Sequence, residues 1–221
     1  MMYFAPQLVL VLGLAIFVSA VLQHLVKKNR TAVSLYVLQS SALALLLLIS
    51  ILDDSSVMAL VAVLVTFVAK VLLAPYFLTR LIRTNQLRFS STTYLNGPQT
   101  LLVLALIVAL CFSRYFTPLA NLSPESPTLV LLTIATLFTS LFLLVNKKGA
   151  LSQMLGILSV ENSIVAFALF TGLEQSPALE LGITFDIVVW VVVATVFISM
   201  LYRQFGSLDV TTMTRLTDST L

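Results

Sequence analysis

Lys70, Glu161 and Asp186 each stand inside an apolar stretch long enough to cross a bilayer, in a chain where only 10% of residues are charged. A charged side chain at the bilayer centre costs about 2.5–3.5 kcal/mol on insertion scales, so each must face protein, water or a partner and not lipid. Groups placed this way can pass a proton or cation along, bind something, or pair to hold helices together. Lys70 reads either as a lysine that gives up and regains a proton or as a permanently charged one held by a partner carboxylate. Glu161 opens the run Glu161-Asn162-Ser163, where the carboxyl is either neutral or kept ionised by a lysine. Asp186 follows Gly182 by one turn and precedes Trp190 by one turn, in the outer half of its stretch, where water is closer.

The residues around these charges add detail. At about 100° per residue the helix face of Glu161 carries Ala150, Met154, Ala168 and Gly172, small or unbranched residues that let a neighbouring helix approach, so Glu161 points into a helix interface. Lys70 lies five residues before Pro75, whose missing N–H and ring clash predict a kink that frees the carbonyl of Val71 and gives water a place to bind. Ser34, Tyr36, Gln39 and Ser40 form a polar patch of the kind that more often joins helices than conducts. His24, at the end of the first stretch, reads as a wet histidine; with no acid or cysteine at ligand spacing it makes no metal site. Cys111 is the single cysteine, which excludes an internal disulfide or an Fe–S cluster held by this chain alone.

The elements that must position these groups follow from hydropathy. With 59% hydrophobic residues and a mean hydropathy of +1.07, the chain reads as all-α and polytopic, with no segment polar enough for an extramembrane domain. Seven spans of about 18–25 residues can be cut: Ala5–Val26, Ala32–Leu52, Val57–Ile82, Gln99–Thr117, Pro127–Val145, Leu151–Leu173 and Ala178–Tyr202. Lys27, Lys28 and Arg30 follow the first span, the reverse of a cleavable signal, so it stays as a helix. Basic loops also follow the third span (Arg80, Arg83, Arg88) and the fifth (Lys147, Lys148), and Arg203 follows the seventh; Asp53, Asp54, Glu174 and Glu180 mark the opposite side. The positive-inside rule puts the N-terminus outside and the C-terminus in the cytoplasm. The net charge of +3 therefore reflects orientation and implies no nucleic-acid partner.

The same topology contains an echo. Lys27-Lys28 is repeated by Lys147-Lys148, Gln39-Ser40-Ser41 by Glu161-Asn162-Ser163, and Thr66-Phe67 by Thr184-Phe185, at offsets of 120, 122 and 118 residues. Two parallel three-helix units are expected, residues 1–90 and 127–205, joined by a connecting helix within residues 91–126 and followed by a cytoplasmic tail, residues 206–221.

Four strings carry a resemblance along essentially the whole chain: Lys70-Val71-Leu72-Leu73-Ala74-Pro75, Glu161-Asn162, Gly182-Ile183-Thr184-Phe185-Asp186 and Gly206-Ser207-Leu208-Asp209-Val210, with Gln39-Ser40 beside them. In order and depth they resemble the hydrogenase-4 component E family, and the last three spans resemble the three-helix K subunit of respiratory complex I. The resemblance implies a membrane subunit of a group 4 hydrogenase, formate hydrogenlyase or complex I-like oxidoreductase in a bacterial or archaeal cytoplasmic membrane. It implies a proton or cation path through Lys70, Glu161, Asp186, Gln39 and Asn162, antiporter-like subunits as neighbours, and NiFe and Fe–S centres only in partner chains. The residues themselves show no metal site, nucleotide loop or nucleophile–base pair, so no cofactor and no catalysis are expected of this chain alone. They leave open a module of a cation/proton antiporter without a hydrogenase, or a purely structural membrane adaptor.

Overall fold

The computed structural model of the chain describes residues 6–51, 57–85, 93–124, 126–173, 188, 190–192, 194–200 and 202. All regular structure among them is helical, apart from isolated bridge positions such as the antiparallel contact of Thr93 with Lys147. The elements are α1 (Pro6–Leu25), α2 (Asn29–Ile51), α3 (Val57–Phe67), a π-helical turn (Val68–Leu73), α4 (Ala74–Thr84), α5 (Gly97–Cys111), α6 (Thr117–Ala120), α7 (Pro127–Asn146), α8 (Ala150–Thr171) and a short apolar helix α9 (Trp190–Met200). Five helices are long and apolar enough to cross a membrane: α1, α2, the continuous run Ala59–Thr84, α7 and α8. Leucines and valines cover the outside, as at Leu14, Val18 and Leu22 of α1, while glutamine, serine and lysine are buried inside. That is the distribution expected of a protein solvated by lipid.

The fourth expected span, Gln99–Thr117, is shorter in the structure. A capping box between Asn96 and Gln99 starts α5 cleanly, but the helix stops at Cys111 after 15 residues, about 22 Å of rise and less than a hydrocarbon core. Phe112, Tyr115 and Phe116 keep the average apolar around Arg114, so hydropathy alone overshoots. Past Cys111 the backbone goes over to tighter turns, with the Ser113 amide on the Leu110 carbonyl and the Phe116 amide on the Ser113 carbonyl, while the Ser113 hydroxyl donates to the Leu110 carbonyl at 2.6 Å and accepts from the Tyr115 amide at 3.4 Å. The seventh expected span, Ala178–Tyr202, and the tail, residues 206–221, lie largely outside the described residues.

Pro75 also acts differently from a simple kink. The turn before it opens into the π-helical segment Val68–Leu73, where the Ala74 amide donates to the Ala69 carbonyl. One extra residue per turn gives the proline ring room while the helix axis continues into α4, where Pro75 occupies the first turn.

Four helices form the centre. Along α1 and α7 the contacts advance together: Gly13 faces Leu129 and Leu132, His24 reaches Thr139, and Val26 meets Lys147, so the two run in the same direction. The same holds for α2 and α8, where Gln39 meets Ser159 and Ser40 meets Asn162. The segment before α5 is tied to the end of α7 by the Tyr94 amide on the Asn146 carbonyl at 2.9 Å and the Leu95 amide on Asn146 Oδ1 at 3.0 Å. Asn146 Nδ2 also donates to Thr100 Oγ1 at 3.2 Å, so α5 starts at the rim where α7 ends and runs against it.

The apolar core is split in two. One cluster, at the end nearer the basic loops, holds Val33 and Tyr36 of α2, Leu78 and Leu81 of α4, Leu155 and Leu158 of α8, and Val191 and Ile198 of α9. The other holds Ile16 of α1, Leu43 and Leu46 of α2, Val130 and Ala135 of α7, and Val165 and Phe170 of α8. Between them, near the midpoints of α2, α8 and the Ala59–Thr84 run, lies a layer of polar side chains.

The α7/α8 contact is the closest of the packing. A Cβ on Gly156 would stand 2.8 and 2.9 Å from the Leu144 side chain and 3.3 Å from its backbone nitrogen. Gly156→Val is therefore expected to lower stability by about 1–3 kcal/mol, the usual cost of overpacking, seen as a reduced Tm of the purified chain in mild detergent. An unchanged Tm would mean that α7 and α8 separate more easily than their packing indicates.

A buried ion pair in a polar layer

The π turn turns Lys70 inward. Its side chain is 2% exposed, and Nζ donates to Glu161 Oε1 of α8 at 2.5 Å; the Glu161 side chain is 16% exposed. Two of the three charges singled out by sequence therefore meet although they lie 91 residues apart. Only one carboxylate oxygen is used: Glu161 Oε2 is buried with no hydrogen-bond partner. Asp186 lies outside the described residues.

Gln39 and Asn162 fall in the same layer. Gln39 Nε2 donates to Ser159 Oγ and Asn162 Nδ2 donates to Ser40 Oγ, each at 2.9 Å. Both bonds cross the α2/α8 contact; Ser40 and Asn162, 122 residues apart, are matching members of the echoed strings, whereas Ser159 stands just before its string. Tyr36, one turn before Ser40 and fully buried, brings its hydroxyl to the Ser40 side chain. Ser34 does not belong to the layer: it is exposed, and its hydroxyl donates to the Arg30 carbonyl of its own helix.

α7 contributes groups that the charge pattern did not reveal. Ser140 Oγ lies 2.7 Å from Ser159 Oγ and 3.5 Å from Ser163 Oγ, extending the layer from α8 to α7. Thr133, Thr136, Thr139 and Ser140 are all buried on this helix. Their spacing of three to four residues is a legible stripe, but serine and threonine in apolar helices so often bond their own backbone that the stripe alone says little; Thr133 and Thr136 do so here, to the Val130 and Leu132 carbonyls.

His24 differs from expectation. It is buried, not wet: Nε2 contacts the Thr139 carbonyl at 3.0 Å and the ring stacks on Phe142 with centroids 5.0 Å apart. Burial follows because α7 packs against α1 at that turn and covers the ring. Among the described residues no group of three His, Cys, Asp or Glu side chains gathers to hold a metal.

The fold and site define an all-helical membrane protein with a buried lysine–glutamate pair at mid-depth. In sequence the chain is similar to a Mycobacterium tuberculosis protein, "Uncharacterized protein Rv0085", with 29% identity over 192 residues, 86% of each chain. No family model and no solved structure matches the chain.

Removing one member of a buried pair strands the other in low dielectric, a loss of about 3–5 kcal/mol, whereas replacing both by apolar residues is often neutral. Lys70→Met and Glu161→Met are each expected to lower the detergent Tm strongly, and the double variant to recover most of the loss. Additive losses in the double variant would show that the two side chains are not paired in the membrane protein.

Proposed function

We propose that this chain is a non-catalytic membrane subunit of a multisubunit oxidoreductase of the group 4 hydrogenase or complex I-like type, in which the Lys70–Glu161 pair moves protons or another cation in step with redox chemistry elsewhere. The observation that supports the reading most directly is the pair itself. It lies at mid-depth, and one carboxylate oxygen stays unpartnered beside a lysine that can share or release the other. A group that must load and unload a proton needs such a spare position, because a fully satisfied carboxylate has nowhere to accept one. Asp186 would extend the path along the chain, with Gln39 and Asn162 orienting its neighbours. The family resemblance of the Lys70-to-Pro75 and Glu161-Asn162 strings supplies the class of complex.

In this reading antiporter-like subunits flank the chain, partner chains carry the NiFe and Fe–S centres, and the complex sits in a bacterial or archaeal cytoplasmic membrane with the basic loops inside. A structural adaptor, or a module of an ion-transport assembly without a hydrogenase, is the second reading, favoured by the direct contact that satisfies the Lys70 charge within this chain.

Glu161→Gln and Lys70→Met separate these readings in the assembled complex. Each is expected to reduce coupled proton movement about tenfold or more, the scale of losing one positioned proton-transfer group, while redox turnover and assembly persist. Full coupling in both variants would leave the adaptor. Gentle purification of the tagged chain from its native membrane, with metal analysis, addresses the class of complex: nickel, iron and large antiporter-like chains are expected, and antiporter-like chains without those metals would remove the hydrogenase.

A further inference from the structure

We propose that the buried polar groups between α1, α7, α2 and α8 form a hydrated path that joins the Lys70–Glu161 pair to the basic rim of the protein at Gln23, His24 and Lys147, a branch running across the membrane and distinct from any lateral route to neighbouring subunits. The proposal rests on the proton-transfer reading of the pair and adds where its protons enter.

Three observations carry it. The first is a set of buried polar atoms with no hydrogen-bond partner among the described residues, seven of which gather in two places. At the centre these are Glu161 Oε2, Gln39 Oε1 and Asn162 Oδ1; near the rim they are both polar atoms of Gln23, His24 Nδ1 and Thr139 Oγ1. A seam that only joined helices would pair its atoms with one another, as Thr133 and Thr136 pair with their own helix. Buried groups left over in this way are the ones that hold internal water, each water taking two to four polar partners.

The second is continuity. Thr139, whose backbone carbonyl meets His24, is followed in the chain by Ser140, and Ser140 reaches Ser159, which accepts from Gln39. From Ser140 inward the hydroxyls of Ser140 and Ser159 lead to the central group, and hydroxyls donate and accept and can hand a hydrogen bond along. The third is the position of the outer end. His24 lies in the last turn of α1, and Lys147 Nζ donates to the Val26 carbonyl at 3.3 Å beside it. Lys147 lies outside the spanning helices, and burial pulls its ammonium below the ordinary lysine value, which suits a group that exchanges protons with bulk water at a mouth. Along the path each hop breaks an O–H bond on one oxygen as the next forms, and the proton ends on Glu161 Oε2, the oxygen that Lys70 does not hold.

X-ray radiolytic hydroxyl labelling of the full chain in lipid nanodiscs, read by mass spectrometry, tests this without any activity. Hydroxyl radicals made from water mark reactive side chains that touch it. Tyr36 is fully buried and Phe170 is 4% exposed in an apolar cluster, so a dry interior would leave both unlabelled. The expected result is labelling of Tyr36 and His24 severalfold faster than Phe170 after correction for intrinsic reactivity, with Tyr36 slowed severalfold in His24→Phe and in Gln23→Leu while Phe170 is unchanged. Tyr36 as silent as Phe170 in the unaltered chain would overturn the hydrated path. Tyr36 labelled but insensitive to both substitutions would overturn the entry at His24. Neither failure bears on the loss of coupling in Glu161→Gln, so the path can fall while the role of the pair stands.

Discussion

A lysine ammonium in hydrocarbon has to find a counter-charge, and much of the arrangement follows from where Lys70 finds one. Glu161 lies on α8, so the π turn must bring the Lys70 side chain within reach of α8 at mid-depth, while the turn itself and α4 pack along α2. The π turn makes this geometry reachable. An α-helical path through Pro75 would lose a hydrogen bond and strain the preceding turn. The wider turn absorbs the proline, with the Ala74 amide held by the Ala69 carbonyl, and points Lys70 at α8. A proline and a lysine five residues apart therefore act as one device.

Lipid tails are as apolar as leucine side chains, so apolar packing alone gives helices little reason to choose one register over another. The polar layer supplies that choice. Gln39 to Ser159, Ser40 to Asn162, and Ser140 to Ser159 lock α2, α7 and α8 at one height, with an apolar cluster on each side. Sliding α2 by one turn against α8 would move Gln39 into leucines and leave its amide with nothing to bond. Ser40 and Asn162, 122 residues apart, are equivalent positions of the two echoed strings and face each other, which is the arrangement a local two-fold relation between parallel helices produces.

The outer course of the chain was legible because hydropathy and loop charge are additive along a sequence. The ends of α1, α2, α7 and α8 fall within a few residues of the expected spans. The end of α5 was not legible, because a hydropathy average still counts Phe112, Tyr115 and Phe116 and carries no signal for the turns that replace the helix there. At the site the pattern was similar. Lys70 and Glu161 stood out as charges in apolar runs, and Gln39 and Asn162 as amides beside them. Their pairing did not, since nothing in a single sequence says which residues 91 or 122 apart will touch. His24 was misjudged for the same reason: its own helix end looks wet until α7 is laid against it.

The pair also explains why a structural and a functional role need not compete. A lysine and a carboxylate used only as a clamp do best when every lone pair is filled, because each unfilled buried oxygen costs about 1–3 kcal/mol. Here Oε1 is held by Lys70 while Oε2 has no hydrogen-bond partner among the described residues. The local structure forgoes stabilisation at the one place where the helices are pinned most firmly. Apolar residues of similar volume would hold the same helices together at less cost, so a clamp alone does not account for two charges. What the charges add, and leucine would not, is a polar site fixed at mid-depth between two apolar clusters.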